Sequence, residues 1–280
     1  MIGYAKIMLK KRNTMKKNNN LLFPILVTSL IFSNQINSEY TSTTILKKYK
    51  PLLEKGTYKG FTDIDQSLWP QSRYYTFKKA FEHFEKHNGK VVVELGTTRS
   101  FTHGGLPGCN QDNPKHWTPN NPENWDWGAG SFTRMAVECL AHLNPIIHTI
   151  DLASRHIQRC KIITQDYKKF MQYHICSSVD FLKNCSFEHG IDLLYLDTGD
   201  MTPIEPTAQL HLEEAKIIVE RNLLAPNGII LIDDVKNQTP KKFGETSELG
   251  KAKYSIPYFL EHGFEIVEDE YQVILRIKKQ

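Results

Sequence analysis

The chain has 280 residues, of which 40% are hydrophobic and 24% are charged. These values are typical of a globular protein, and they exclude a mainly disordered chain, a collagen-like repeat and a membrane protein with many spans. The formal net charge is +4, but six basic residues lie in the first twenty positions and residues 21–38 carry no charge. Residues 39–280 therefore sum to −2, so the basic excess belongs to the N-terminal segment and no nucleic-acid partner is expected.

Residues 1–38 have the layout of a leader. A basic stretch precedes the twelve-residue apolar run LLFPILVTSLIF (21–32), and the polar sequence SNQINS follows it. Twelve residues rise about 18 Å as a helix, which is too short for a hydrocarbon core of about 30 Å. The pattern predicts a secretory signal peptide, with an uncleaved membrane anchor and a buried N-terminal helix as alternatives. The first two interpretations imply export or attachment to a membrane through the leader alone.

Residues 39–89 are predicted to form a helical extension. Tyr74, Phe77, Phe81 and Phe84 recur in it at helical spacing. We interpret them as a stripe that faces the core, in preference to an aromatic binding site.

From Lys90 onward, short apolar runs alternate with helical segments. The runs are VVVEL (91–95), IIHTID (146–151), QYHICS (172–177), IDLLYLD (191–197), GIILIDD (228–234), FEIVE (264–268) and QVILRI (272–277). Continuous apolar strands between helices indicate a parallel sheet that is covered on both faces. The last two runs are only a few residues apart, which predicts an antiparallel hairpin. Residues 90–280 are therefore predicted to be an α/β domain: a doubly wound, mainly parallel seven-stranded sheet with an antiparallel terminal hairpin.

The connection between the first strand and the helix that begins at Ser131 is unusually long. Residues 100–130 form an insertion rich in Gly, Pro and Asn that includes Trp117, Trp125 and Trp127. Loops of more than about 15 residues are uncommon and are usually functional or disordered. The aromatic content favours an ordered lid or wall beside the site.

Acidic residues stand at four of the five predicted parallel strand ends. They are Glu94, Asp151, Asp197 and the pair Asp233 and Asp234. Ligands of open α/β sheets bind outside the carboxyl ends of the strands. A single acid there is explained equally well as a helix cap, but the whole set favours a binding site.

The glycines near the first strand argue against a dinucleotide. Only Gly96 follows the strand directly, and Gly128 and Gly130 come about thirty residues later. The chain has neither the three-glycine dinucleotide fingerprint at this strand nor a GxxxxGK[ST] phosphate loop. An acidic residue with one tight-turn glycine suits a cationic cofactor with free hydroxyls and an amine, which is the chemistry of S-adenosylmethionine.

Over about residues 90–277 these elements resemble those of the class I S-adenosylmethionine-dependent methyltransferases. The matching motifs are VVVELGT at the first strand, TID at the second, SSVDFL after the third, IDLLYLD at the fourth and LLAPNGIILIDDV at the fifth, where a Pro-Asn-Gly turn leads into the strand. The resemblance implies S-adenosylmethionine as cofactor. It also implies a methyltransferase that transfers to oxygen on a small-molecule or sugar-like acceptor.

The resemblance further implies a position for each matching residue. Around the cofactor it places Glu94, Gly96 and Thr97 beside the methionine part, Asp151 at the ribose hydroxyls, Ser178 and Asp180 beside the adenine, and Gly128, Gly130 and Ser131 in the second half of a loop that the insertion splits.

Asp197, Asp233 and Asp234 are similar in position to the metal ligands of cation-dependent O-methyltransferases such as catechol O-methyltransferase. There, such acids hold one Mg²⁺, which lowers the pKa of the acceptor hydroxyl and orients it. The catechol enzymes have a lysine base three residues after the fourth-strand Asp, and here that position is Asp200. Asp197 and Asp200 are thus the candidate catalytic residues, with Asp200 as a base or a further ligand. The alternative is that these acids only cap helices and contact the acceptor.

Three other polar residues receive structural interpretations. His211 is predicted to be a hydrogen-bonded structural histidine on a helix that covers the sheet. Lys251 and Lys253 follow a polar loop near the fifth strand end. We expect them to be solvated at the start of a helix, with contact to an anionic acceptor as the alternative.

Two other functions stay open at this point. A nicotinamide-dependent oxidoreductase would use a similar sheet, although the missing glycine fingerprint counts against it. An exported, non-catalytic binding or effector protein with a methyltransferase-like fold fits the leader better, because S-adenosylmethionine is made in the cytosol. Fold alone does not decide among them.

Overall fold

The computed structural model describes residues 40–58, 71–98, 113–126, 128–201, 203–235 and 250–279. The predicted leader lies outside these ranges, so the signal peptide stays a prediction. Within them, no helix has the length and apolar character needed to cross a membrane.

Helices and strands alternate through the described residues. The helices are α1 (Thr41–Leu46), α2 (Lys50–Tyr58), α3 (Arg73–Lys86), α4 (Ser131–Leu140), α5 (Ser154–Ile163), α6 (Ser178–Asn184), α7 (Ile204–Glu220) and α8 (Ser255–Glu261). The strands are β1 (Val91–Leu95), β2 (Ile146–Asp151), β3 (Met171–Ile175), β4 (Ile191–Leu196), β5 (Leu224–Ile232), β6 (Phe264–Asp269) and β7 (Val273–Ile277). Short 3₁₀ helices cover Lys47–Tyr49, Pro114–Trp117, Pro122–Asn124, Ala141–Leu143, Gln165–Phe170 and Gly250–Ala252.

The seven strands form one sheet in the order β3-β2-β1-β4-β5-β7-β6. Strands β1 to β5 pair in parallel, and β7 pairs antiparallel with both β5 and β6. The chain moves outward from β1 through β2 to β3, and then outward on the other side from β4 to β5. The predicted doubly wound sheet with its antiparallel terminal hairpin is therefore confirmed. Its topological switch point lies between β1 and β4, where ligands of such folds bind.

The fifth strand begins earlier than the sequence predicted. The Pro-Asn-Gly segment lies inside β5 rather than before it, because the chain pairs with β4 on both sides of the segment: Ile191 faces Leu224, and Leu193 faces Ile229. Gly228 permits this irregularity, since a Cβ there would lie 2.4 Å from the carbonyl oxygen of Ile191.

Helices cover both faces of the sheet. On one face Phe77, Phe81 and Phe84 of α3 are at most 1% exposed, and the ring of Phe77 lies 5.5 Å from that of Phe132 in α4. Tyr74 packs at the edge of the same cluster. Helices α6, α7 and α8 pack on the alternate residues of the same strands, on the other face. The predicted aromatic stripe is therefore confirmed as core, and it fixes α3 on the sheet.

Part of the long insertion lies within the described residues. Between residues 113 and 126 the indoles of Trp117 and Trp125 are 9% and 3% exposed, and the Trp125 ring lies 6.1 Å from that of Tyr49. The guanidinium of Arg159 in α5 lies 4.5 Å from the Trp117 ring. This half of the insertion packs against the domain, while residues 99–112 and 127 lie outside the described ranges, so the lid or wall beside the site stays a prediction.

Candidate active site

The turn after β1 is pressed against β4. Gly96 has φ +85°, and a Cβ at this residue would lie 2.6 Å from the carbonyl oxygen of Asp197. The Gly96 N–H donates to the carbonyl of Ile150 at 2.9 Å. The turn therefore joins the ends of three neighbouring strands, and a glycine is needed to make it.

The two halves of the split loop meet in space. The N–H groups of Gly130 and Ser131 donate to the carbonyl of Thr98 at 3.1 and 3.3 Å. Gly128 and Gly130 take left-handed backbone, with φ of +67° and +80°, just before α4 begins. The structure thus brings Gly128, Gly130 and Ser131 to the end of β1, where the resemblance placed them, across an insertion of about thirty residues.

Glu94 lies beneath this loop and is 0% exposed. One carboxylate oxygen accepts from the N–H and hydroxyl of Thr98 at 3.1 and 2.9 Å, and the other accepts from the hydroxyl of Thr149 at 2.7 Å and from that of Thr133. Burial raises the pKa of Glu94, and these hydrogen bonds oppose the rise. With no exposed surface, Glu94 can act on a ligand only through the loop that it holds.

Asp151 ends β2, and its side chain is 15% exposed. Its Oδ2 accepts from the N–H of Thr97 at 3.2 Å and from Nδ1 of His156 at 3.0 Å, while Oδ1 accepts from the N–H of Ala153 at 2.7 Å. The His156 ring also lies against Gly128, where a Cβ would approach it to 2.4 Å. Sequence reasoning missed His156, although its place in the first turn after an acidic strand end was a usable signal.

The two residues predicted beside the adenine differ in exposure. Ser178 is 6% exposed and lies against α7, where burial raises the pKa of Glu214 to about 7 and hydrogen bonds from Ser178 and Thr198 oppose the rise. Asp180 is exposed, and its N–H donates to the hydroxyl of Ser177 at 3.0 Å as part of the N-terminal cap of α6. The structure does not bring these two side chains together.

Asp197, Asp233 and Asp234 meet at the ends of β4 and β5. One carboxylate oxygen of each lies within 4.8 Å of the others. Asp200 does not join this group: it is exposed, and its main-chain carbonyl accepts from the hydroxyl of Thr207 at 2.7 Å. The geometry therefore gives no support to the predicted role of Asp200 as a base or a ligand, because the turn after β4 carries it away from the strand ends.

Arg73, the first residue of α3, neutralises part of the group. Its Nε and Nη2 donate to Asp233 at 3.0 and 3.1 Å, and Nη2 also donates to Asp234 at 2.8 Å. Asp233 further accepts from the hydroxyl of Tyr195 at 2.9 Å and from the amide of Gln272 at 3.0 Å. Both oxygens of Asp233 are thus committed to partners within the protein.

Lys251 lies at the same strand ends, which corrects the expectation that it is solvated. Its Nζ is 2.8 Å from Oδ1 of Asp197 and 3.1 Å from Oδ2 of Asp234, and the residue is 3% exposed. Gly250 brings the chain this close, because at φ +51° a Cβ there would lie 2.1 Å from the carbonyl oxygen of Asp234. Lys253 does lie at the surface, where it pairs with Glu205 at 3.2 Å.

The charges of this cluster shift one another's ionisation. Burial opposes the charged form of Lys251, but Asp197, Asp234 and Asp233 outweigh it and hold the pKa of Lys251 above its usual range. Burial would likewise raise the pKa of Asp234, yet Lys251 and Arg73 hold it below its usual range. Burial raises the pKa of Asp197 to about 7, with the other two acids adding to the rise and Lys251 opposing it. A pKa near 7 lets the Asp197 carboxyl exchange a proton close to neutral pH.

This donor set does not fit a resident Mg²⁺. The ion takes oxygen ligands at about 2.0–2.1 Å in a near-octahedral arrangement. Asp233 has no oxygen to spare, and the Lys251 ammonium already bridges the other two acids. The predicted ligands are neighbours, but the protein's own cations satisfy them.

His211 is a structural histidine, as predicted. It is 0% exposed, and its Nε2 donates to the carbonyl of Thr198 at 3.0 Å. Burial lowers the pKa of His211 to about 3, and the nearby positive charge of Lys251 adds to the effect.

Acid should destabilise the fold through His211. Between about pH 6.5 and pH 3 the unfolded chain holds a proton on this histidine that the folded chain excludes, so stability is lost as the pH falls through that range. Urea unfolding at pH 7, 6 and 5 should show wild type losing about 1 kcal/mol more than His211→Gln between pH 6 and 5. The comparison with the variant is needed because Glu214 and Asp197, whose pKa values are raised, act in the opposite direction.

The exposed His262 provides the matched control. His262→Gln should keep the pH dependence of wild type. Identical pH dependence in wild type and His211→Gln would contradict the assignment of a neutral, buried His211.

No protein-family profile matches the chain, and no curated protein matches it in sequence. Among solved structures, it is similar to the SAH-bound methyltransferase PaMTH1 from Podospora anserina, at 14% identity and a TM-score of 0.49 over 85% of this chain and 88% of that one. It is also similar to cofactor-bound Rv0187 from MTB, at 10% identity and a TM-score of 0.47 over 89% and 94% of the two chains.

A third similar structure is a Staphylococcus aureus protein provisionally named a caffeoyl-CoA O-methyltransferase, at 11% identity and a TM-score of 0.48 over 85% and 99% of the two chains. At such identities and TM-scores, the likeness does not carry a function to this chain.

Proposed function

We propose that this protein is an S-adenosylmethionine-dependent methyltransferase that acts on an oxygen of a small-molecule or sugar-like acceptor. The observation that carries the proposal is the reassembly of the split glycine loop beside Asp151 at the switch point of the sheet. Gly96 lies at the end of β1, Gly130 and Ser131 are held there by hydrogen bonds to the carbonyl of Thr98, and the partly exposed carboxylate of Asp151 stands on the neighbouring strand.

Asp151 and its surroundings suit a nucleoside. A carboxylate can accept from two vicinal hydroxyls at once, and charge-assisted hydrogen bonds of this kind are the stronger ones. Leu152 and Ile175 are 75% and 56% exposed, and Ile175 pairs with Asp151 in the sheet. Two exposed aliphatic side chains at neighbouring strand ends offer an apolar surface for a purine ring next to the ribose position.

The charge of the β4 and β5 ends suits a cationic cofactor. Three carboxylates face two protein cations there, which leaves one excess negative charge when all are ionised. Asp197 adjoins the Gly96 turn, so this charge lies next to the loop. When bound, S-adenosylmethionine supplies a methyl group on a positively charged sulfonium, which opposite charge attracts.

Asp197 is the residue that we assign to the acceptor's proton. A general base works best with a pKa near the working pH, and burial raises the pKa of Asp197 to about 7. When bound, S-adenosylmethionine would supply the methyl group to the acceptor oxygen, and the Asp197 carboxylate would take the proton of the acceptor hydroxyl. Alignment supplies much of the rate in such a displacement, and the rigid strand ends provide it.

Calorimetric titration with S-adenosylhomocysteine tests the proposal. Wild type should bind it, and Asp151→Ala should weaken binding about 10- to 100-fold, because hydrogen bonds to a charged group contribute about 1.5–3 kcal/mol. Asp166→Ala, at an exposed acid of the next connection, should bind like wild type. Absence of heat with folded wild type would overturn the proposal, and heat with NAD⁺ instead would favour an oxidoreductase.

A further inference from the structure

The position expected for a divalent cation is taken by a side chain of the protein. The Nζ of Lys251 lies between Asp197 and Asp234, at 2.8 and 3.1 Å from their oxygens. We infer that the Lys251 ammonium replaces the Mg²⁺ of the cation-dependent enzymes, and that this site binds no divalent ion. The inference deepens the proposed function. The exclusion of a divalent ion is argued from the geometry alone, whereas the comparison with the cation-dependent enzymes rests on the proposed function.

A metal and the ammonium cannot share these oxygens. A divalent ion would bind the same carboxylates at about 2.0–2.6 Å, which puts it next to Nζ with no layer of solvent between the two positive charges. Arg73 brings a second fixed positive charge to Asp234, at 2.8 Å. The acids already have the compensation that a metal would otherwise supply.

Lys251 is also held in place. The residue is 3% exposed and is followed by Ala252, which is 0% exposed. The backbone of Gly250 abuts the carbonyl of Asp234 so closely that a Cβ would lie 2.1 Å from it. To admit a metal, the protein would have to move a buried ammonium together with a packed turn.

The third predicted ligand is unavailable for a separate reason. Asp233 accepts hydrogen bonds from Nε of Arg73 at 3.0 Å, from the hydroxyl of Tyr195 at 2.9 Å and from the amide of Gln272 at 3.0 Å. Only Asp197 and Asp234 are left to face Lys251. Lys251 is thus a positioning residue: it orients the Asp197 carboxylate without metal loading.

Mn²⁺ is a direct probe, because carboxylate sites for Mg²⁺ also bind it and its electron paramagnetic resonance signal reports the free ion. The full chain and Mn²⁺ are mixed at equal concentrations of about 0.1 mM. With a Kd of this order, the mixture contains measurable amounts of both bound and free ion. Wild type should leave the Mn²⁺ signal unchanged. Lys251→Ala should bind one Mn²⁺ per chain, and Lys251→Ala/Asp197→Asn should lose it again.

Lys253→Ala is the matched control, since Lys253 is an exposed lysine two residues away, and it should bind no Mn²⁺. If Lys251→Ala does not fold, Lys251→Gln replaces it, with the same expected gain. Uptake of one Mn²⁺ by wild type that Asp197→Asn abolishes would overturn the inference. A folded Lys251→Ala or Lys251→Gln that binds none would overturn it as well.

S-adenosylhomocysteine binding to the same samples separates this inference from the proposed function. Binding by metal-free wild type supports both. If folded wild type does not bind S-adenosylhomocysteine but the Mn²⁺ results are as expected, the methyltransferase proposal is overturned. The exclusion of a divalent ion by Lys251 would then still stand.

Discussion

Replacing Arg73 by alanine should lower the free energy of unfolding by about 3–5 kcal/mol, the cost of breaking a buried ion pair by removing one partner. The guanidinium is in contact with both Asp233 and Asp234, and it lies 4.5 Å from the centre of the Tyr271 ring. Asp233 is 2% exposed, so water does not replace the lost charge. Its remaining neighbours Tyr195 and Gln272 donate hydrogen bonds but carry no charge.

Urea unfolding of Arg73→Ala beside Arg276→Ala measures this effect. Arg276 pairs with Glu265 at 2.6 Å, but both side chains are more than a third exposed. An exposed pair contributes about 0.2–1 kcal/mol, so Arg276→Ala should cost no more than that. Equal losses in the two variants would contradict the account of Arg73 as the main compensation for Asp233.

A double-mutant cycle identifies the source of the loss. If the cost of Arg73→Ala comes from the uncompensated charge of Asp233, then Arg73→Ala should cost clearly less in an Asp233→Asn background. The two residues are in direct contact, and coupling energies of such pairs reach about 0.5–3 kcal/mol. Additive effects would place the loss in the packing of Arg73 against Tyr271 instead.

The sheet was predictable because its signal is local. Continuous apolar runs such as 91–95 and 191–196 are buried on both faces, and their ends agree with the prediction to within a residue. The acids at the strand ends were visible for the same reason. Parallel strands bring their carboxyl ends to one edge, so the meeting of Asp197 with Asp233 and Asp234 follows from the order of the strands.

The sequence did not predict that Arg73 and Lys251 lie at the site, because both residues are far along the chain from the acids that they contact. Arg73 is 160 residues from Asp233, and Lys251 is 54 residues from Asp197. For Arg73 one local signal existed: Arg73, Phe77 and Phe81 are spaced four residues apart, so the arginine shares the buried face of α3 with the aromatic stripe. For Lys251 the sequence offered only its place near the fifth strand end, which did not predict burial, since that burial depends on a tertiary contact of Gly250 with Asp234.

Gly96→Ala is expected to lower the free energy of unfolding by about 2–5 kcal/mol, because backbone strain adds to a steric clash that costs about 1–3 kcal/mol. An alanine at φ +85° carries the strain of left-handed backbone, about 1–2 kcal/mol. Its Cβ would also lie 2.6 Å from the carbonyl oxygen of Asp197 and 2.8 Å from Cα of Thr198. Both neighbours are backbone atoms of the strand end, so the clash is relieved only by moving β4 away from β1.

Gly263→Ala separates the two effects, because Gly263 has the same φ of +85° but a Cβ there would meet nothing within 4 Å. It should cost only the strain of about 1–2 kcal/mol, so that the difference between the variants in urea unfolding measures the clash. Gly96→Ala should in addition lose S-adenosylhomocysteine binding in calorimetry, while Gly263→Ala binds like wild type, because only Gly96 shapes the loop beside Asp151. Equal stability losses with unchanged binding in both variants would mean that the turn after β1 neither needs a glycine nor forms the cofactor site.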